Sequence, residues 1–524
     1  MTESAQPRPA ETFAEAEDAL LSRWPETRLE PSLDRIEAFT ELLGDPQRAY
    51  QVVHLTGTNG KTSTSRMIDT LLRTLDLRTG RFTSPHVERM TERISIDGEP
   101  LSDEAFVRVF NEVAPYTHLV DADQDHPLSF FETVVGMAFA AFADAPVDVA
   151  VVEVGMGGSW DATNVVDAQV AVVLPIAVDH AQYLGDNAPA IAVEKAGIIK
   201  PGSTAVLAQQ SPEVAAVLLE RAAEVGATVA REGVEFGVVS RVPGVGGQML
   251  SLQGLHARYD DVFLPLHGAH QAQNAAVALA AVEALLGDSP LEEDLVRAAF
   301  AEVTSPGRLE VIRRSPTIVL DAAHNPHGAE AAAAALEDSF AFSPLVGVIG
   351  VMGDKDYEGV LAAFEPHLAH LVVTQASSPR AMPAEQLGAV AVEVFGEDRV
   401  TVVPRLADAI DRAATLAEVG QELGDSVGSG AVLVTGSVVT VGEARTMLKP
   451  AARRGAPKRD RPPGYRQVTA GLDTAAGVEG PDEADDLDDL LAGLLGGSDD
   501  QHDSLYDEDD EQDDEQDDEH EDER

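Results

Sequence analysis

The sequence predicts an α/β protein in two folded parts. The first is a central domain with a phosphate-binding loop and a mainly parallel sheet. The second is a smaller, Rossmann-like α/β domain. Three observations carry this. An apolar run at 50–55 ends in Thr56-Gly57-Thr58-Asn59-Gly60-Lys61-Thr62-Ser63 and passes into helical spacing at Met67, Leu71, Leu72 and Leu75. Further short apolar runs follow, closed by polar clusters at their carboxyl ends. After Ser305-Pro306-Gly307-Arg308 the strand–helix alternation restarts and holds for about 140 residues, the pattern of a largely parallel sheet.

Composition narrows the class. A chain of 524 residues has room for several domains and large cores. It has no cysteine, which excludes disulfides, thiolate metal sites and a thiol nucleophile and fits a cytoplasmic protein. No apolar run is long enough to span a membrane. Residues 1–19 carry Glu and Asp where a signal peptide needs a basic end and an apolar core, so export is not expected. The net charge is −53, and residues 471–524 alone hold 25 acidic residues and one arginine. That stretch is expected to be a disordered acidic tail, with a short apolar island at 487–495, preceded by a basic, Pro-rich linker at 453–466. The folded part is acidic too, so no nucleic-acid partner is expected.

Taken in order, residues 11–24 and 33–43 have the spacing of two amphipathic helices, with Ser32 placed as an N-cap. In the loop that follows, Gly57 and Gly60 let backbone N–H groups close on phosphate oxygens, and the next helix adds its positive dipole end. Lys61 is placed to reach the outer phosphates, and the hydroxyl of Thr62 or Ser63 to lie near Mg²⁺. The first position of the general G-x-x-x-x-G-K-[ST] pattern is Leu55. A strand over 78–83 leads into Thr83-Ser84-Pro85-His86, putting a hydroxyl at a strand end, where ligands bind. A helix over 130–142 precedes a Val-rich strand over 147–154 that is expected to be buried on both faces. Its end carries Glu153, a buried carboxylate that calls for a cation.

A strand over 168–175 leads to Asp179-His180, and the helix after it bears Glu194-Lys195. A Gly-rich hairpin region at 242–264 precedes a helix over 270–286 that opens with His270-Gln271-Ala272-Gln273-Asn274. In the second unit, strands at 317–320, 346–351, 371–374, 400–403 and 431–435 alternate with helices at 329–337, 357–364, 383–394 and 406–419. The motifs Asp321-Ala322-Ala323-His324-Asn325-Pro326, Gly353-Asp354-Lys355-Asp356 and Thr435-Gly436-Ser437 lie at strand ends, so this unit is expected to face the first across a cleft. The expected divisions are 1–304, 305–450 and 451–524.

These motifs together resemble the dihydrofolate synthase and folylpolyglutamate synthase family of Mur-ligase-like ATP-dependent amide ligases. The resemblance rests on TGTNGKTS, TSPH, VEVGMGGSWDATN, DHAQYLG, EKAGI, PGRLE, DAAHNP, GVMGDKD and TGSVVTVGEAR, in that order. It implies that ATP phosphorylates a carboxylate of dihydropteroate or of a folate's terminal glutamate, and that the amine of L-glutamate then displaces phosphate. It also implies ATP contacts at Asn59, Gly60, Lys61 and Thr62, with Asn274, Arg308 and Asp321 on the far side. Ser84 and Glu153 resemble ligands of one Mg²⁺ and His180 a ligand of a second, with K⁺ a further cation the resemblance admits. Lys195 resembles a lysine that is carbamylated, which turns a cation into an anion beside the metal. The pterin side would involve Arg28, Leu29, Glu30, Pro31, Ser129, Phe130, Phe131, Glu132, Trp160, Asp161 and Ala162. Lys61, His180 and Lys195 are the implied catalytic residues, and the expected state is a cytoplasmic monomer.

Two features depart from the family. Ser159-Trp160 stands where it often has Arg-Leu, and Thr62 where it often has Gly. Two other classes compete. A peptidoglycan-type Mur ligase usually places a nucleotide-sugar-binding domain before the loop, and about 55 residues leave too little room for one. A non-enzymatic P-loop switch would be expected to carry Asp at the metal-bearing strand, and would not need the second unit's strand-end motifs.

Overall fold

The computed structural model describes residues 8–25, 30–422 and 429–449. Arg28, Leu29 and the linker and tail at 451–524 lie outside the described residues. The first eight strands are β1 (Gln51–Thr56), β2 (Thr79–Phe82), β3 (Ile94–Ile96), β4 (Glu99–Pro100), β5 (Val149–Glu153), β6 (Val170–Val173), β7 (Thr204–Leu207) and β8 (Thr228–Arg231). They form one sheet in the order β4-β3-β2-β5-β1-β6-β7-β8. The run from β2 to β8 is parallel, and β3 and β4 add an antiparallel edge.

β1 alternates across the sheet. Val53 and Leu55 pack with the helices Lys61–Thr74 and Ala269–Leu286, while Val52 packs on the helix Phe130–Asp144. Each such fully buried side chain contributes about 1.5–3 kcal/mol. β5 is buried along its whole length, as its near-continuous apolar run requires. In register, Leu55 of β1 pairs with Glu153 of β5, so the carboxylate arrives level with the phosphate loop.

Strands β9 (Gly237–Gly244), β10 (Gly247–Gln253) and β11 (Arg258–Leu264) make a separate antiparallel sheet. The second lobe has β12 (Glu310–Arg314), β13 (Thr317–Leu320), β14 (Phe342–Ile349), β15 (His370–Gln375), β16 (Val400–Arg405) and β17 (Ser429–Thr435), in the order β12-β13-β17-β14-β15-β16. All pairs are parallel except β12 with β13. Among the described residues no helix is long and apolar enough to cross a membrane.

The structure adds several elements to those read from the sequence. They include the helices Asp103–Asp123, Pro212–Val225 and Glu293–Ala301, the β3–β4 edge, and β12 directly after Arg308 and Leu309. Ser32 is not an N-cap. The helix Asp34–Leu42 is preceded by Leu33 in αR geometry, and the Ser32 hydroxyl accepts from the Asp34 N–H at 3.0 Å.

Candidate active site

The phosphate loop is shaped by its two glycines. Gly57 has φ +146°, and a Cβ there would lie 2.6 Å from that of Leu174. Gly60 has φ +87°, and a Cβ there would lie 2.7 Å from Asn274 Oδ1. Thr58 ties the loop to the end of β6, donating to Ala177 O at 2.9 Å and accepting from its N–H at 3.0 Å. Lys61 folds back over the loop, with Nζ donating to Gly57 O at 3.0 Å and Thr58 O at 3.3 Å.

Lys195 ends the helix Ala188–Lys195 and donates from Nζ to the same Gly57 carbonyl at 3.1 Å. Two ammonium groups thus share one acceptor in a buried place. Burial, with Lys61 adding to it, pulls Lys195 down to about 7. Burial lowers Lys61 as well, against the pull of Glu153 and Asp179.

Glu153 is fully buried at the end of β5. The Thr62 hydroxyl lies 3.0 Å from both its oxygens, whereas Ser63 turns to Ser305 Oγ at 3.0 Å. Thr62 is therefore the hydroxyl that faces the carboxylate. Burial pushes Glu153 up to about 7, against Lys61 and the Thr62 bond. Ser84 lines the same cavity, its oxygen accepting from Arg93 Nη1 at 3.2 Å. A buried carboxylate with one hydroxyl at 3.0 Å and a second on the same cavity wall is an all-oxygen donor set that fits one Mg²⁺ with phosphates and water completing it. His180, the residue the resemblance gives to a second ion, has its Nε2 3.3 Å from Lys355 Nζ. Among the described residues no cluster of three His, Asp or Glu forms a ready-made metal site.

The second lobe closes on this loop through polar pairs. Asn59 and Asn325 exchange side-chain amide bonds at 3.2 and 3.1 Å. Asn325 also donates to Asp179 Oδ2 at 3.0 Å, and Lys355 Nζ lies 2.7 Å from Asp179 Oδ1. Burial alone would raise the Asp179 carboxyl, but Lys355, His180 and His324 hold it well below the usual range. His180 and His324 are each lowered to about 4, by burial and then by Lys355, so both are neutral at pH 7. Asp321 accepts from the Leu309 and Ala323 N–H groups at 2.9 Å each, fixing the backbone that carries Arg308. Arg308 Nη1 donates to Gly307 O at 3.0 Å. Asn274 sits against Gly60 and donates to Gln271 at 3.2 Å. A cavity of about 870 Å³ lies between the lobes, lined by the loop, Ser84, Glu153, His180, Lys195, Asn274, Arg308 and Asp321.

A second cavity, of about 120 Å³, opens inside the first lobe and is lined by Glu30, Pro31, Ser129, Phe131, Glu132, Trp160, Asp161 and Ala162. Trp24, Arg35 and His126 also line it. Ser129 and Glu132 form a capping box for the helix Phe130–Asp144, and Glu132 pairs with Arg35 Nε at 3.0 Å. Phe130 is not brought to this cavity; its ring lies under the Arg93 guanidinium at 4.9 Å. Ser84, Gly155 and Met156 line both cavities, so the two meet there.

Sequence reasoning singled out no role for Asp179, Asn325, Lys355, Arg35 or Trp24. The first three stand inside strand-end motifs, which was the available signal. Trp24 and Arg35 carry none, because only packing sets them beside Glu132 and Trp160.

The Mur ligase middle domain matches residues 55–282, and the Mur ligase glutamate ligase domain matches residues 307–438. Two α/β lobes meeting over a phosphate loop make this an ATP-dependent carboxylate–amine ligase of the Mur type. The chain is 51% identical over 457 residues to the dihydrofolate synthase/folylpolyglutamate synthase of Mycobacterium tuberculosis, covering 83% of this chain and 94% of that one. The solved Mycobacterium tuberculosis folylpolyglutamate synthase complexed with ADP superposes with a TM-score of 0.81 at 52% identity, over 83% of this chain and 98% of that one. E. coli FolC in complex with DHPP and ADP gives a TM-score of 0.73 at 31% identity, over 86% and 100%. The chain belongs to the dihydrofolate synthase/folylpolyglutamate synthase family.

Proposed function

We propose that this protein joins L-glutamate to dihydropteroate, and also to the terminal glutamate of reduced folates, with ATP and through an acyl phosphate. The observation that supports this best is the meeting of a large cavity on the phosphate loop and a small aromatic one at Ser84, Gly155 and Met156. A carboxylate entering from the aromatic side meets the terminal phosphate of a nucleotide held on the loop side.

Backbone N–H groups at the start of the helix Lys61–Thr74 cradle the phosphates, and Lys61 exchanges its two carbonyl acceptors for phosphate oxygens. Thr62, Ser84 and Glu153 would hold a Mg²⁺ ion, whose contribution is neutralising charge on the transferring phosphoryl group. An acceptor carboxylate oxygen attacks the γ-phosphorus and ADP leaves. The glutamate nitrogen then attacks the acyl carbon, phosphate leaves, and the amide remains. Lys195, whose amine is half unprotonated near pH 7, is suited to take up CO₂ as a carbamate, which would replace one of two adjacent cations by an anion. Arg308 and Asn274 face the nucleotide from the far wall. Both lobes of the site come from one chain, which suits a monomer, and the lack of cysteine suits the cytoplasm.

ADP release from the purified protein, measured with glutamate plus dihydropteroate and separately with glutamate plus tetrahydrofolate, tests the reading. Glutamate-dependent ADP with both acceptors is expected. None with either overturns it.

A further inference from the structure

The loop between the two cavities is held from behind by three buried side chains that the reaction just described does not use. Asp161 accepts at Oδ2 from the Met156 N–H at 2.9 Å. At Oδ1 it accepts from the Thr163 N–H at 3.0 Å and the Thr163 hydroxyl at 2.5 Å. The Thr163 oxygen also lies 2.9 Å from His54 Nε2. A hydroxyl has one proton to give, and a carboxylate only accepts. The Thr163 proton therefore goes to Asp161, and His54 must donate from Nε2. That leaves its Nδ1 as a bare lone pair, and this buried atom has no hydrogen-bond partner. Burial drives the His54 ring down to about 3, so it is neutral and this tautomer is its working form.

Asp161 also takes a backbone hydrogen bond from Gly155, so it holds two consecutive residues of the junction while lining the smaller cavity. We propose that His54, Thr163 and Asp161 are positioning residues that fix the Gly155 and Met156 backbone at the junction where the acceptor carboxylate meets ATP. His54 lies on β1, the strand that feeds the phosphate loop, so one strand registers loop and junction together. The Thr56 hydroxyl on the same strand adds a bond to Gly157 O at 2.8 Å. A junction held still keeps the acyl phosphate in line for the amine. A loose one admits water, which attacks the acyl phosphate, releases phosphate and returns the free carboxylate.

The inference rests on the ligase reading above. Its test uses the full-length protein and measures glutamate joined per ADP released, beside kcat and the KM for ATP. Thr163→Val is expected to lower kcat about tenfold and to cut the ratio to about half or less, with the KM for ATP within about twofold. Thr163→Ser, which keeps the hydroxyl, is expected to restore all three to near wild type. An unchanged ratio in Thr163→Val overturns the proposal whatever kcat does. So does a Thr163→Val protein that fails to fold or to bind ATP, because the three residues would then serve only the core. A wild type without glutamate-dependent ADP release defeats the ligase reading instead.

Discussion

The two cavities are built in opposite ways. The nucleotide cavity lies between lobes, and its closure rests on polar side-chain pairs such as Asn59 with Asn325 and Asp179 with Lys355. Glu88 is held in the same way by Arg445 and Lys449 of the second lobe. The acceptor cavity lies within one lobe and is framed by a helix capping box, a buried Arg35–Glu132 pair and the hydrophobic core beneath them. Both kinds of pair are largely shielded from water, Asp179–Lys355 as much as Arg35–Glu132, so the difference lies in what they join: two lobes in the first case, helices of one core in the second. The comparison teaches that the smaller cavity is shaped by the core of one lobe, whereas the larger one exists only where two lobes meet.

Four experiments press on this contrast. The largest effect is expected from Lys61→Ala, which removes the ammonium at the phosphates and should cut turnover about 100-fold or more while leaving acceptor binding unchanged. Assays of kcat beside acceptor binding check it, and near wild-type turnover would refute the phosphate-loop role.

Lys195→Arg, which keeps a positive charge, should be inactive, and Lys195→Ala should be inactive but partly rescued by a short carboxylic acid. The free amine takes up CO₂ and the ammonium does not. With burial and Lys61 holding Lys195 near 7, activity of the unmodified enzyme at limiting CO₂ should therefore rise with pH through about 7. An active Arg variant would rule the carbamate out.

Lys355→Ala leaves Asp179 without its closest cation and should raise the KM for ATP roughly tenfold, since lobe closure then lacks the ion pair that ties Asp179 to the second lobe. The KM for the acceptor should move much less. Equal changes in both constants would erase the distinction between the cavities.

The smallest effect is expected from deleting residues 455–524, which should change kinetic constants by no more than about threefold, because the segment is too acidic to pack on an acidic body. Michaelis constants at low and high salt, with and without the segment, check this. A segment-dependent shift that vanishes at high salt would show an electrostatic contact with the cleft.

Much of the contrast was readable in advance on one side only. The strand, glycine turn, lysine and helix at 50–75 were legible because each step is local. Valines choose the strand, Gly60 permits the positive φ, and helical spacing follows. Glu153 was legible for a related reason, since a carboxylate closing a run of valines has to sit at a strand end. The helix Asp103–Asp123 was passed over, and it carries a proline at 115 and only five buried side chains, so its signal is weak.

Motifs at strand ends thus announce themselves through neighbouring residues, and in this chain they were enough to name the ligase family and the phosphate loop. The pairing of Asn59 with Asn325, 266 positions away, depends instead on how two separately folded sheets come to rest against each other. The same holds for the Thr62 hydroxyl being the one that faces Glu153, for Phe130 turning under Arg93, and for Lys355 standing at His180. Side-chain partners across long separations are chosen by packing and desolvation in the assembled core, and no local pattern of residue types encodes that choice.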